Sequence, residues 1–129
     1  MERETNKPDY NLQERLIDYA VRIINLIEKL PDTRAGRHVA DQLLRSGTSP
    51  APNYGEAQGA ESRADFIHKM KISLKELRES YVWLKIIQKS KMIVDDVELT
   101  LLIKETNELI SIFFTSIDTA KKNRKSYGN

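Results

Sequence analysis

With 129 residues, 21 Lys/Arg against 19 Asp/Glu and no cysteine, the chain suits a single domain, residues 1–129, that can hold itself together through one core. Disulfides, thiolate metal sites and cysteine nucleophiles are excluded, and two histidines leave little for a metal centre. The polar first nine residues lack a signal-peptide core and no apolar run approaches the ~20 residues of a membrane span, so a cytoplasmic protein without membrane contact is expected.

Four segments carry helical periodicity, and no strand-like alternation competes. In the first, Leu16, Ala20, Ile23, Ile27 and Leu30 recur at spacings of four and three, with Ile17 and Ile24 widening the stripe, until Pro31 ends it. Asp32 or Thr33 can cap the second, which carries Ala35, Val39, Ala40, Leu43 and Leu44 along one side before Gly47 interrupts. Between Gly47 and Pro52 two prolines remove backbone donors and crowd the preceding turn, so the second helix should be kinked or broken there. Ser49-Pro50 reads as a cap and first helical position, restarting a helix towards Gly59.

Ser62 with Asp65 resembles a capping box and opens the third segment, where Ile67, Met70, Leu74, Leu77, Tyr81 and Leu84 keep a three-four rhythm without a miss. That is the seam of a bundle. Asp95 with Glu98 forms a second box before the fourth segment, whose Leu99, Leu102, Ile103, Leu109, Ile110, Phe113 and Ile117 share a face. Residues 1–10 and the basic residues 121–129 are expected to be flexible ends. Short connections force neighbouring helices to run antiparallel, which predicts an all-α, up-down four-helix bundle.

The small net charge hides a segregation along the chain. Residues 63–91 hold eight Lys/Arg against three Asp/Glu, residues 92–120 one lysine against six acids, and residues 121–129 four basic residues. At ~100° per residue, Lys71, Lys75, Arg78, Lys85 and Lys89 fall in one row beside the third segment's seam. Such a row can follow a phosphate backbone, with Lys121, Lys122, Arg124 and Lys125 adding contacts, or it can form a solvated rim pairing with the acidic fourth helix. Ile72, Trp83 and Ile86 turn away from the seam, and Leu101 and Ile112 lie off the fourth helix's core stripe. These five are candidates for a homo-oligomer interface.

No Walker loop, His-Glu-x-x-His, nucleophile elbow or Gly-x-Gly-x-x-Gly cradle is present, so no enzyme, cofactor or metal is expected. Asp65-x-x-His68 stands alone, since a carboxylate di-metal bundle needs two Glu-x-x-His pairs. Arg45, Asn53, Glu56 and Glu76 lie close to packing faces and read as a largely internal hydrogen-bonded network.

The blocks Gln42-Leu43-Leu44-Arg45-Ser46-Gly47-Thr48-Ser49, Asn53-Tyr54-Gly55-Glu56-Ala57, Asp65-Phe66-Ile67 and Ser73-Leu74-Lys75-Glu76 resemble the bacterial four-helix-bundle family encoded in intervening sequences of 23S ribosomal RNA genes. The resemblance runs from about Leu16 to the end of the fourth helix. That family is similar in fold to the accessory protein of diversity-generating retroelements, a pentameric barrel that binds a reverse transcriptase and nucleic acid. The resemblance therefore implies a bundle, a homopentamer as the favoured oligomer, and a role near RNA, DNA or a nucleic-acid enzyme. It places the family's characteristic polar positions on Arg45, Ser49, Asn53, Glu56 and Glu76, while Pro50 and Pro52 together depart from its pattern. A protein–protein scaffold without nucleic-acid affinity is the alternative reading.

Overall fold

Asn11 opens the first helix by accepting the Glu14 amide on Oδ1 at 3.2 Å, so α1 (Leu12–Ile27) starts with one of its orphan donors satisfied. The computed structural model describes residues 11–126, with side chains through residue 123; the expected flexible segment 1–10 lies outside them. Thr33 rather than Asp32 caps α2 (Arg34–Thr48), accepting from Gly36 N at 3.0 Å. A Cβ on Gly36 would lie 2.0 Å from the Pro31 carbonyl oxygen, so only glycine fits the turn as it stands.

The expected break falls at Ser49, with α3 (Pro50–Gln58) following and Gly59 capping it. Gly47 does not interrupt the helix as its position suggested, because α2 runs through it to Thr48. Ser49 keeps helical dihedrals and its carbonyl still accepts from Asn53 N at 3.2 Å, so α2 and α3 form one kinked rod. Pro50 stands at the first helical position as expected. Ser49 makes no side-chain cap; its hydroxyl instead accepts from Asn53 Nδ2 at 2.9 Å.

Ser62 caps α4 (Arg63–Ser90) through a 3.0 Å bond from Asp65 N. The helix closes on Lys91 in the left-handed region (φ 61°), where the Lys91 and Met92 amides return to Gln88 O and Ile87 O. This is the doubled closing bond usually seen with glycine in that place. The cap of α5 (Val97–Ser126) is Asp96, not Asp95: Asp96 Oδ1 accepts from Leu99 N at 3.1 Å, while Asp95 takes a positive φ of 53° in the connection. α5 carries the helix through Lys121 and Lys122 to Ser126, where a flexible end was expected, and the remainder of that expected segment, residues 127–129, lies outside the described residues.

The rods alternate in direction. Along α1, Arg15, Arg22 and Lys29 meet Glu105, Glu98 and Asp96 in turn, so α5 runs back against it. Between α2–α3 and α4, Ser46 meets Ser80, Pro50 O meets Ser73 and Glu56 meets Lys69, again in reverse order. The result is an up-down four-rod bundle, with α4 lying between the kinked rod and α5. Ile67, Met70, Leu74, Leu77 and Leu84 are buried in its centre with Leu99, Leu102, Leu109, Phe113 and Ile117; Tyr81 is half-buried. Each such leucine removed from water stabilises the fold by roughly 1.5–3 kcal/mol before entropy opposes it. On α1 the buried stripe is Leu12, Leu16, Tyr19, Ile23 and Leu26, leaving Ile17 and Ile24 outside the core at 40% and 42% exposure.

One polar layer crosses that core. Thr106 Oγ1 donates to Leu102 O at 2.6 Å, so its contact with the Tyr19 hydroxyl, also 2.6 Å, has Tyr19 as donor. Ser80 and Ser46 share a 2.8 Å hydroxyl contact. Burial pushes the Tyr19 pKa up to about 12, with the hydroxyls of Thr106 and Ser80 opposing the shift. All four rods thus contribute one hydroxyl at this level, and among the described residues no buried side-chain polar atom lacks a partner.

Candidate nucleic-acid interface

The α4 row is a property of helical spacing realised on an exposed face. Lys71, Lys75, Arg78 and Lys89 are exposed and make no ion pair among the described residues, while Lys85 is half-buried and donates to Gln88 Oε1 at 3.0 Å. From first to last the row spans about 27 Å at 1.5 Å rise per residue.

The acids expected to neutralise it are engaged elsewhere. Arg15 binds Glu105 at 2.7 and 2.9 Å and Glu108 at 2.9 Å; Arg22 binds Glu98 at 2.6 Å; Lys29 binds Asp96 at 2.9 Å. Hydrogen bonding to Glu105 raises the Arg15 pKa and hydrogen bonding to Glu98 raises that of Arg22, while the Lys29 hydrogen bond holds the Asp96 carboxyl below its usual range. Among the described residues these acids therefore pair with α1 and not with the α4 row. Sequence order concealed this, because charge blocks adjacent in the chain need not present facing edges.

Of the basic end, Lys121 is exposed and Lys122 pairs with Asp118 one turn back at 3.1 Å. Arg124 and Lys125 continue the backbone of α5, and their side chains lie outside the described residues.

The polar block divides into three surface clusters rather than one internal network. Arg45, itself half exposed, reaches Glu76 at 2.9 Å and also Glu79, and Glu79 accepts from Trp83 Nε1 at 3.1 Å. Asn53 folds back onto Ser49. Glu56 turns outward to Lys69 at 2.6 Å, a hydrogen bond that raises the Lys69 pKa. The physical reason is azimuth: Glu56 lies on the outer side of α3, whereas the positions facing inward are Ser46, Ser73 and Ser80. Glu79 was missed, although its spacing of three from Glu76 and four from Trp83 places it on the same edge.

The five candidate interface residues form two separate groups. On α4, Ile72 is half-buried, Ile86 is exposed, and Trp83 is half-buried with its ring edge-on to His38 at 5.8 Å. Trp83 therefore already has a contact within the chain. On α5, Leu101 is exposed, and Ile112 lines a groove of about 1010 Å³ with Leu12, Tyr54, Phe66 and Thr119. Among the described residues no three His, Cys, Asp or Glu side chains gather as a metal site, and no helix is long and apolar enough to cross a membrane.

Residues 9–114 match the family of 23S rRNA-intervening sequence proteins. The chain belongs to that family. A solved structure from Bacteroides thetaiotaomicron, described as a protein of unknown function from the S23 ribosomal protein family, is 33% identical, with a TM-score of 0.74 over 81% of this chain and 96% of that one. No curated protein matches the chain. The family match ends at residue 114, so the last two fifths of α5, with Lys121 and Lys122, lie beyond it.

Proposed function

We propose that this intervening-sequence family member is a non-enzymatic, homo-oligomeric bundle that binds nucleic acid through the α4 row. The observation that carries the reading is the separation of charges: Glu98, Glu105 and Glu108 of α5 are held by α1, and Lys71, Lys75, Arg78 and Lys89 are exposed with no ion pair among the described residues. A cation row of this kind attracts phosphates through counterion release and carries little base preference. In a closed ring, for which the resemblance to the retroelement accessory protein favours five copies, the row repeats and weak contacts add through multivalency. The two separated apolar groups, on α4 and α5, suit a ring, since a head-to-tail interface joins different patches.

The test is a salt titration of RNA binding followed by fluorescence anisotropy. Replacing Lys75, Arg78 and Lys85 by glutamine removes three cations, so the log–log salt slope should flatten by about 2 to 3. Absence of binding at ~50 mM salt, where attraction is strongest, would overturn the reading. The scaffold alternative would then stand on the exposed Ile17, Val21, Ile24 and Leu44.

A further inference from the structure

α5 packs along its length against α4 and α1, and its Phe113 ring also meets Tyr54 of α3 edge-on at 5.9 Å. Its edge towards α1 is fixed by Glu98, Glu105 and Glu108. The opposite edge, Ile103, Ile110 and Phe114, therefore lies along α4. Ile103 and Ile110 pack partly into the core, but Phe114, one turn further, is 56% exposed.

The same reasoning orients α4. Its edge towards α2 and α3 carries Lys69, Ser73, Glu76 and Ser80, all bonded to those elements. The other edge, Ile67, Leu74 and Tyr81, faces α5. Lys71, Arg78 and Lys85 each follow one of these by four residues, so they stand just outside the α4–α5 seam, as Phe114 stands just outside it on the other side. Counting equally away from the connection at residues 91–96 puts Phe114 opposite the turn between Lys71 and Lys75. The row and the phenyl ring are two rims of one groove.

Resting on the nucleic-acid reading above, we infer that this groove takes unpaired nucleotides, with phosphates along α4 and a base stacked on Phe114. Lys71 and Lys75 are about 6 Å apart along the axis, close to the separation of successive phosphates on a strand. A phenyl face beside such cations offers a base a stacking partner without hydrogen-bond selectivity. In a duplex both faces of each base are already covered by its neighbours, so Phe114 gains a partner only from a single strand or an unpaired loop. The groove therefore distinguishes strandedness, which the cation row alone does not.

The experiment compares three probes by anisotropy: an oligodeoxythymidine strand, an abasic strand of equal length and a duplex DNA. The native protein should hold the thymidine strand more tightly than the abasic one. Phe114→Ala should weaken the thymidine strand roughly 5- to 150-fold, the range of one lost base stack, and leave the abasic strand, the duplex and the salt slope unchanged. Phe114→Trp should restore binding. Circular dichroism melting of both variants against the native protein verifies that the fold is intact. An unchanged affinity of Phe114→Ala for the thymidine strand, or an equal loss on all three probes, overturns the stacking inference alone. No binding of the native protein to any probe overturns it together with the function proposed above.

Discussion

Gly47 provides the sharpest probe of how closely the kinked rod approaches α1. A Cβ built on it lies 2.9 Å from both Cγ1 and Cγ2 of Ile23 and 3.3 Å from its Cβ. Ile23 is fully buried, and a β-branched side chain on a helix has one strongly preferred χ1, so those carbons cannot swing aside. Gly47→Ala gains about 0.5–1 kcal/mol of helix propensity, but forcing a methyl into a filled core costs about 1–3 kcal/mol. The expected net loss is therefore about 1 kcal/mol in urea denaturation. Ile23→Ala alone should cost ~2–5 kcal/mol, and the double variant should lose less than the two single losses combined, with a coupling of about 1–3 kcal/mol. A stabilised Gly47→Ala together with additive behaviour in the cycle would refute the close approach of α1 and α2.

Leu77→Ala should lower the unfolding free energy by ~2–5 kcal/mol in the same assay, because Leu77 is fully buried in the unbroken α4 seam. Glu56→Ala should cost less than about 1 kcal/mol, since its partner Lys69 is met at the surface; a larger loss would restore the internal-network reading. The raised Tyr19 pKa means the folded state keeps its proton while the unfolded chain loses it above about 10, so stability present at neutral pH should fall as pH rises towards about 12. Tyr19→Phe should remove that part of the alkaline slope, read from thermal melts across the range. Light scattering should report a species well above 14.9 kDa, and Ile86→Glu with Leu101→Glu should return it towards that mass; a native monomer at all concentrations would refute the assembly.

The sequence by itself determined the helices, their number and the seam. Periodicity at three and four residues survives any packing arrangement, and caps such as Ser62 act within one turn, so both are local properties of the chain. The kink was legible for the same reason: Pro50 and Pro52 constrain their own backbone whatever surrounds them. The family blocks around Arg45 and Asn53 were legible as words, although not as contacts. What only the tertiary structure decided was azimuth and partnership. Whether Ile17 or Tyr19 faces inward depends on where α2 and α5 stand around α1, and a stripe wide enough for both leaves the choice open. Glu105 meets Arg15 rather than the α4 row because α5 turns that edge towards α1, a fact set by rod-to-rod packing and not by order along the chain. Glu56 likewise faces Lys69 and water because α3 buries its small residues, leaving the long acid on its outer side. Phe113 and Phe114 are equally apolar in the sequence, yet Phe113 is fully buried and Phe114 is 56% exposed, because the packing of α5 against α1 and α4 turns only the first of them into the core.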